Sequence, residues 1–374
     1  MAGIYIHIPF CKKACHYCNF HFSTSAHYQN EMIEAIVYEL YLQKNFFENE
    51  KIETIYFGGG TPSFIAIAQI EKILNKIHSL FRLSNSLEIT LEANPDDLNK
   101  TKTHSLFQIG INRLSVGVQS FFDEDLQYMN RSHHAVQAKQ AIETIIETGF
   151  TNFSIDLIYG YPLLNDKKWL QNIETLIHYK VPHISCYAMT VEPKTALSSF
   201  IEKNKIPPMN EQQSADQFVL LMNRLMDNKY QHYEISNFAL EGFEAVHNSN
   251  YWKGKKYLGV GPSAHSYNGI QRFWNKSNNA FYMKSISQHQ LPQEVEILSQ
   301  HDIINETIMI SLRTSNGVSR HNLKELMTEN EFKNFIKKME KFVNSNMIFE
   351  KDDFYILTQK GKLFADGIAS DLFI

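Results

Sequence analysis

Six short apolar runs alternating with amphipathic helical patterns limit what this chain can fold into more than any other feature. Residues 4–8, 54–58, 87–92, 112–117, 153–159 and 183–190 are rich in β-branched and aromatic side chains and read as strands. Between them, 28–45, 66–81, 102–108, 135–149 and 168–179 read as helices. Gly110 and Gly149 mark helix ends, and Pro182 stands just before the sixth strand. Strand–helix alternation of this kind builds a parallel sheet. Six units are too few for the complete eight-stranded barrel, so the pattern predicts an α/β fold with a partial (βα)6 TIM-like barrel over residues 1–190. A gap in the barrel wall gives a large substrate sideways access.

Barrels of this type carry their chemistry at the C-terminal ends of the strands. Here the first strand leads into Cys11, Cys15 and Cys18, spaced Cys-x3-Cys-x2-Cys. The second ends in Gly58-Gly-Gly-Thr-Pro62, where a ligand can touch bare backbone and the Thr61 hydroxyl. The next three deliver Glu92, Gln119 and Asp156. One polar residue in a turn means little, but five successive strand ends behaving alike point to a site. Three thiolates on one loop can hold three corners of a [4Fe–4S] cluster and leave the fourth iron open. A structural zinc site, the alternative, needs a closed set of four ligands. Its second pair of cysteines is missing, and only His16 stands near enough to complete a set. Cys186 lies in an apolar run and reads as a buried strand residue.

The net charge of −4, from 36 basic and 40 acidic residues, gives no broad attraction to nucleic acid or anionic lipid. No apolar run approaches the ~20 residues of a membrane span. No signal-peptide pattern opens the chain. Free cysteines with an oxygen-sensitive cluster predict the reducing cytoplasm. Beyond about residue 192 the strand–helix rhythm stops. A loop at 205–209, a helix at 211–228 and a strand-like run at 230–238 follow, and the region 191–297 is expected to cap the barrel mouth. It carries His247-Asn-Ser-Asn-Tyr-Trp252, in which a histidine and two flat rings are close together. Read from the residues alone, His247 bonds a backbone carbonyl and Trp252 packs on the barrel. Residues 298–374 show helices at 302–313, 320–327 and 331–345, then a hairpin at 347–357 turning at Asp352-Asp353, the order of a winged helix. Lys333, Lys337, Lys338 and Lys341 lie along one helix face, but Glu331 and Glu340 interrupt it. That face reads as solvated, with no nucleic-acid partner.

Tyr5-x-His-Ile-Pro-Phe-Cys with its cysteine spacing, Gly58-Gly-Gly-Thr-Pro, Gly117-Val-Gln-Ser and Ile155-Asp-Leu-Ile-Tyr-Gly together resemble the radical S-adenosylmethionine (SAM) superfamily. The resemblance runs over essentially the whole chain. It is closest to the branch holding the oxygen-independent coproporphyrinogen III oxidase and its haem-chaperone relatives. It implies that SAM chelates the open iron and that a reduced cluster cleaves it to a 5′-deoxyadenosyl radical. It implies SAM contacts from Tyr5, Tyr17, the backbone of Gly59 and Gly60, and Glu92. Thr61, Gln119, Arg131 and Asp156 match positions that in the oxidase line a second SAM. No catalytic side chain is assigned.

Three departures separate this chain from the oxidase. Phe20 stands where the oxidase has a further cysteine, and Cys11 comes almost at the start, without the oxidase's long preceding segment. His247–Trp252 matches the His-Asn-x-x-Tyr-Trp motif of the haem chaperones. The resemblance therefore implies a haem chaperone, with a cluster, SAM and haem as its cofactors. Haem contacts are expected from His247, Tyr251 and Trp252, with His265, on the Gly-rich turn at 261–267, as a rival iron ligand. The expected partners are haem and an acceptor protein, for which a membrane respiratory protein is a candidate, with a homodimer as a possible assembly. Oxidative decarboxylation of coproporphyrinogen III is the alternative activity.

Overall fold

The computed structural model describes residues 2–374. Strands β1 (Ala2–Ile8), β2 (Ile52–Gly59), β3 (Leu83–Ala93), β4 (Arg113–Gln119), β5 (Phe153–Tyr159) and β6 (His183–Ala188) lie side by side in chain order, all parallel. Alternation along each strand divides core from interior. On β1, Ile4, Ile6 and Ile8 are fully buried in the main hydrophobic cluster, while a Cβ on Gly3 would meet Thr54 and His247 inside the barrel. The connecting helices are Gln29–Leu42, Ile67–Leu80, Lys100–Gln108, Ala135–Thr148 and Asp166–His178. Ile67–Leu80 packs through Ile70, Ile73, Leu74 and Ile77, the i, i+3, i+4, i+7 stripe of a surface helix. Asn99 and Asn165 cap their helices by accepting from the amides of Lys102 and Lys168. Gly149 closes Ala135–Thr148 in the left-handed conformation, φ 97°. The partial barrel expected from the alternation is present, each strand overlapping its predicted run.

The sheet does not stop at six strands. Beyond β6, the hairpin β7 (Gln231–Glu234) and β8 (Asn237–Ala239) adds on antiparallel. At the other edge β9 (Tyr257–Val260) pairs parallel to β1, followed antiparallel by β10 (His265–Tyr267), β11 (Gln271–Asn275) and β12 (Gln293–Ile297). The region 191–297, expected as a cap over the mouth, thus contributes strands to the sheet as well. Its strands extend both edges of the sheet, and a short motif helix, Val246–Trp252, enters the barrel from the opposite end. There His247 meets Gly3, Thr54 and Glu88, residues on the early halves of their strands. The physical reason is the buried Glu88 carboxylate. It accepts from the amides of Val246 and His247 at 3.1 and 2.9 Å, and without the helix it would be a charge buried without partners. The segment around Leu197 and the side chain of Asn279 both reach the cysteine loop, the Leu197 amide donating to the His16 carbonyl at 2.9 Å and Asn279 bonding His21 at 2.7 Å.

The C-terminal residues have a separate apolar cluster that includes Ile304, Ile308, Leu312, Phe335, Met339, Tyr355 and Ile368. Helices Gln300–Leu312, Arg320–Leu326 and Glu329–Asn344 combine with β13 (Val318–Ser319), β14 (Ile348–Lys351) and β15 (Phe354–Leu357), in sheet order β13-β15-β14, as a winged-helix-like unit. Helix Gln300–Leu312 bridges the open side of the barrel. Next to its C-terminal end, Ile235 donates to the Arg313 carbonyl at 3.0 Å and Ser315 to the Tyr233 carbonyl at 2.9 Å, which joins the unit to the β7–β8 edge. Its Glu306 pairs with Arg272 of β11 on the other edge. Among the described residues no helix is long and apolar enough to cross a membrane.

Candidate functional site

The strand ends converge on a cavity of about 420 Å3. Cys11, Cys15, Cys18, Tyr17, Gly59, Gly60, Thr61, Glu92, Gln119, Arg131 and Asp156 all line it. The glycines are there because the cysteine loop lies on them. A Cβ on Gly60 would stand 2.7 Å from the Phe10 carbonyl, while the Gly60 and Thr61 amides donate to Ile8 and Phe10 at 2.9 and 2.7 Å. Thr61 also turns its hydroxyl onto the Cys11 sulfur at 3.4 Å. The second strand end thus forms the seat of the first.

Arg131 ties the loop to the far strands. Its Nη1 lies 3.3 Å from the Cys15 sulfur and 3.5 Å from the Tyr17 hydroxyl, and its Nη2 donates to Asn94 at 2.7 Å and to the Gly117 carbonyl at 2.6 Å. Its Nε is buried without a partner, as is the Oε1 of Gln119. Gln119 holds a left-handed backbone, φ 68°, where β4 ends. Strained backbone and unmet hydrogen-bonding capacity at one spot are what a binding site requires before its ligand arrives. Tyr56 donates to Glu92 at 2.8 Å, and burial, offset in part by that bond, pushes the Glu92 carboxyl up to about 7. Burial likewise raises Asp156, which accepts from Ser115 and Ser154 at 3.3 Å.

The cysteines are all free, and burial pushes Cys11 up to about 11 and raises Cys18. Among the described residues no group of three histidines, cysteines or carboxylates is arranged to hold a single metal ion. His16 is also engaged elsewhere, its Nδ1 bonding the Tyr128 carbonyl at 2.8 Å and its ring edge-on to Phe200. Three thiols around one cavity suit a cluster larger than a single ion. The unpaired Gln119 and Arg131 atoms and the bare glycine backbone suit a polar cofactor beside it.

Tyr5 departs from the expected set. It does not line this cavity. Its ring stacks on Tyr56, its hydroxyl donates to His7 Nδ1 at 3.2 Å, and it faces a second cavity, because alternation along β1 puts it behind Gly58. Asn94, Ser115 and Tyr187 line the first cavity although the motifs did not single them out. The period of two would have found Ser115 and Tyr187, which share the inward faces of β4 and β6 with Gly117 and Ser185.

His247 also departs. It is 2% exposed, and both ring nitrogens are taken, Nδ1 by the Thr54 hydroxyl and Nε2 by the Tyr251 hydroxyl, each at 2.8 Å. Its ring stacks on Tyr56 with centroids 4.9 Å apart. Burial, with Arg113 adding to it, lowers its pKa to about 3, so the imidazole is neutral. The expected haem contact from His247 is thus replaced by an internal role. Its partners are side chains, not the backbone carbonyl that the residues alone suggested. Tyr251 and Trp252, at the far end of the helix, do reach the second cavity.

Comparison with known proteins supplies the family and the fold. Residues 5–176 match the family model described as the Radical SAM superfamily. The chain is 33% identical to the heme chaperone HemW of Lactococcus lactis, over 96% of this chain and 93% of that protein. It is 31% identical to the HemW of Bacillus subtilis, over 98% of each. This chain belongs to the HemW family of radical SAM proteins. The structure of coproporphyrinogen III oxidase (HemN) from Escherichia coli superposes with a TM-score of 0.87 at 22% identity, covering 100% of this chain and 90% of that one, so the two share a fold. In this HemW-family chain the residue two beyond Cys18 is Phe20, 69% exposed and bordering both cavities.

Proposed function

We propose that this protein is a haem chaperone that binds haem, carries a SAM-liganded [4Fe–4S] cluster, and hands the haem to an acceptor protein in or facing the cytoplasm. The observation that carries the reading is the extent of the match to proteins named heme chaperone. It runs on past residue 176, where the superfamily model ends, through the motif helix and the C-terminal unit.

In this reading Cys11, Cys15 and Cys18 hold three irons, and Thr61 and Arg131 donate to two of the sulfurs, favouring the thiolate form. Gly59 and Gly60 offer carbonyls to the SAM ammonium, and Glu92 accepts from its ribose hydroxyls. Gln119, Arg131 and Asp156 supply the remaining polar contacts. The bound cluster and SAM bring one-electron chemistry to the cavity. Phe20 replaces a group able to donate a proton or ligate a metal with an inert ring.

The test is an anaerobic titration of the cluster-loaded protein with ferric haem, paired with product analysis after incubation with coproporphyrinogen III, SAM and reductant. Saturable haem binding without decarboxylation supports the chaperone. Formation of protoporphyrinogen without haem binding would replace it with the oxidase activity.

A further inference from the structure

The second cavity, about 690 Å3, is larger than the first. It opens where the barrel wall is incomplete, between the inward face of the β1–β9–β11 sheet and the bridging helix Gln300–Leu312. Tyr251, Trp252, Tyr257 and Tyr267 give it aromatic surface on one side, and Ile303 and Ile310 give it apolar surface from the helix. Its size lies within the range of pockets that enclose a large organic cofactor, and its lining is mostly flat or apolar with a few polar groups.

Three histidines border it: His7 has both ring nitrogens engaged, His21 has one, and His265 has neither among the described residues. His7 donates from Nε2 to the His21 carbonyl at 2.9 Å and accepts from Tyr5, and His21 bonds Asn279 at 2.7 Å. His265 has no hydrogen bond among the described residues. Its ring stacks on Trp274, centroids 6.1 Å apart, and that indole is fixed by a 3.1 Å bond to Glu294.

The turn that presents His265 is rigidly built. Gly261 has φ 105°, and a Cβ there would sit 2.5 Å from the His7 carbonyl. Its amide donates to the buried Glu39 at 2.8 Å and its carbonyl accepts from Asn275 at 2.8 Å, while the Asn275 amide holds Ala264 at 2.9 Å. These bonds fix the backbone of the turn, so His265 is presented from a rigid element while its ring nitrogens have no partner among the described residues. Two cations complete the lining. Arg272 is paired with Glu306 across the gap, and the Lys255 ammonium has no partner among the described residues.

We propose that this cavity is the haem site, with His265 as the axial ligand of the iron. Arg272 and Lys255 receive the propionates, and the bridging helix forms the wall opposite the aromatic face. The proposal rests on the haem-chaperone reading and assigns its site.

The full-length, cluster-loaded protein is titrated with ferric haem, alone and as His265→Ala and Thr307→Trp, the second of which fills the cavity from the bridging helix. The expected result is a saturable, histidine-type Soret band in the parent protein. His265→Ala loses that band and weakens binding by roughly tenfold or more, since even outer partners of a metal ligand produce losses of that size. Added imidazole restores the band. Thr307→Trp weakens binding while iron content and melting temperature stay as in the parent. A His265→Ala spectrum and affinity equal to the parent's would overturn the ligand assignment, and unchanged haem binding in Thr307→Trp would overturn the location. Absence of saturable binding in the parent would instead remove the chaperone reading and this proposal together.

Discussion

The two ends of the barrel hold the chain's two clearest motifs, and they use polar side chains in opposite ways. At the mouth, Arg131 and Gln119 have buried atoms with no partner, and Gln119 sits on strained backbone. At the bottom, His247 spends both nitrogens on Thr54 and Tyr251, and Glu88 spends its carboxylate on two helix amides. The motif helix still leaves Asn250 Nδ2 and Trp252 Nε1 unpaired, so the contrast lies between particular side chains more than between whole elements. A polar residue in a distinctive motif is equally good at building an interior and at awaiting a ligand. Unmet hydrogen bonds and strain tell the two apart.

The contrast can be broken most sharply at the cysteines. Replacing any of Cys11, Cys15 or Cys18 by serine is expected to abolish the iron load, read as iron and sulfide content with the visible spectrum, whereas Cys186→Ser leaves it intact. Equal loss at Cys186 would show that burial, not ligation, governs the assay. Next in size is His247→Ala. It removes two buried hydrogen bonds and a stacked ring, and a cost of about 3 kcal/mol is expected in denaturant unfolding. Iron content per folded molecule should not change. A stable variant that loses iron would move His247 to the mouth's side of the comparison.

Two buried carboxylates with the same raised pKa sharpen it further. Glu92 serves the candidate site, whereas Glu39 accepts from Gly261, Asn275 and Tyr282 and so holds a turn. Burial pushes Glu39 up to about 7 from an ordinary 4.5, so the folded state binds the proton more tightly. Its contribution is fully present below about pH 4.5 and is lost as pH rises through 7. Glu39→Gln should therefore gain on the parent by on the order of 2 kcal/mol between pH 5 and 8, apart from a constant offset. Parallel stability curves would contradict this. The smallest effect is expected at Gln119. Glycine there relieves the left-handed backbone and should raise stability by about 1 kcal/mol while weakening SAM binding measured by calorimetry. A loss of stability would make Gln119 a structural residue like His247.

The same distinction explains what the chain's own order of residues revealed. The six strands and their helices were legible because each obeys a local period, and Glu92, Gln119 and Asp156 because strand ends of a barrel face one way. Of the outer strands, the run at 230–238 anticipated β7 and most of β8, but β9 to β12 and the pairing of all six were not legible. β9 has four residues and β8 three, and their pairing is decided by partners distant in sequence, Gly3–Ile6 of β1 for the one and His183–Ser185 of β6 for the other. The place of Tyr5 on the second cavity was not legible, because its distance in sequence from Cys11 says nothing about which side of Gly58 its ring occupies. The place of the motif helix followed from the unpaired Glu88, a requirement seen only once β3 is beside β1 and β2.

The composition of the two cavities also sets a timetable. The strand-end cavity is lined only by residues 11–192, whereas the larger one needs the early loop together with residues 251–310. A growing chain emerges N-terminus first at ~5–20 residues per second, so the wall for the larger cavity leaves the ribosome roughly ten seconds after the last residue of the smaller one. During synthesis every residue that lines the smaller cavity is present while the larger one is still missing its far side. A nascent chain stopped before residue 251 lacks the aromatic face and the bridging helix that wall the larger cavity.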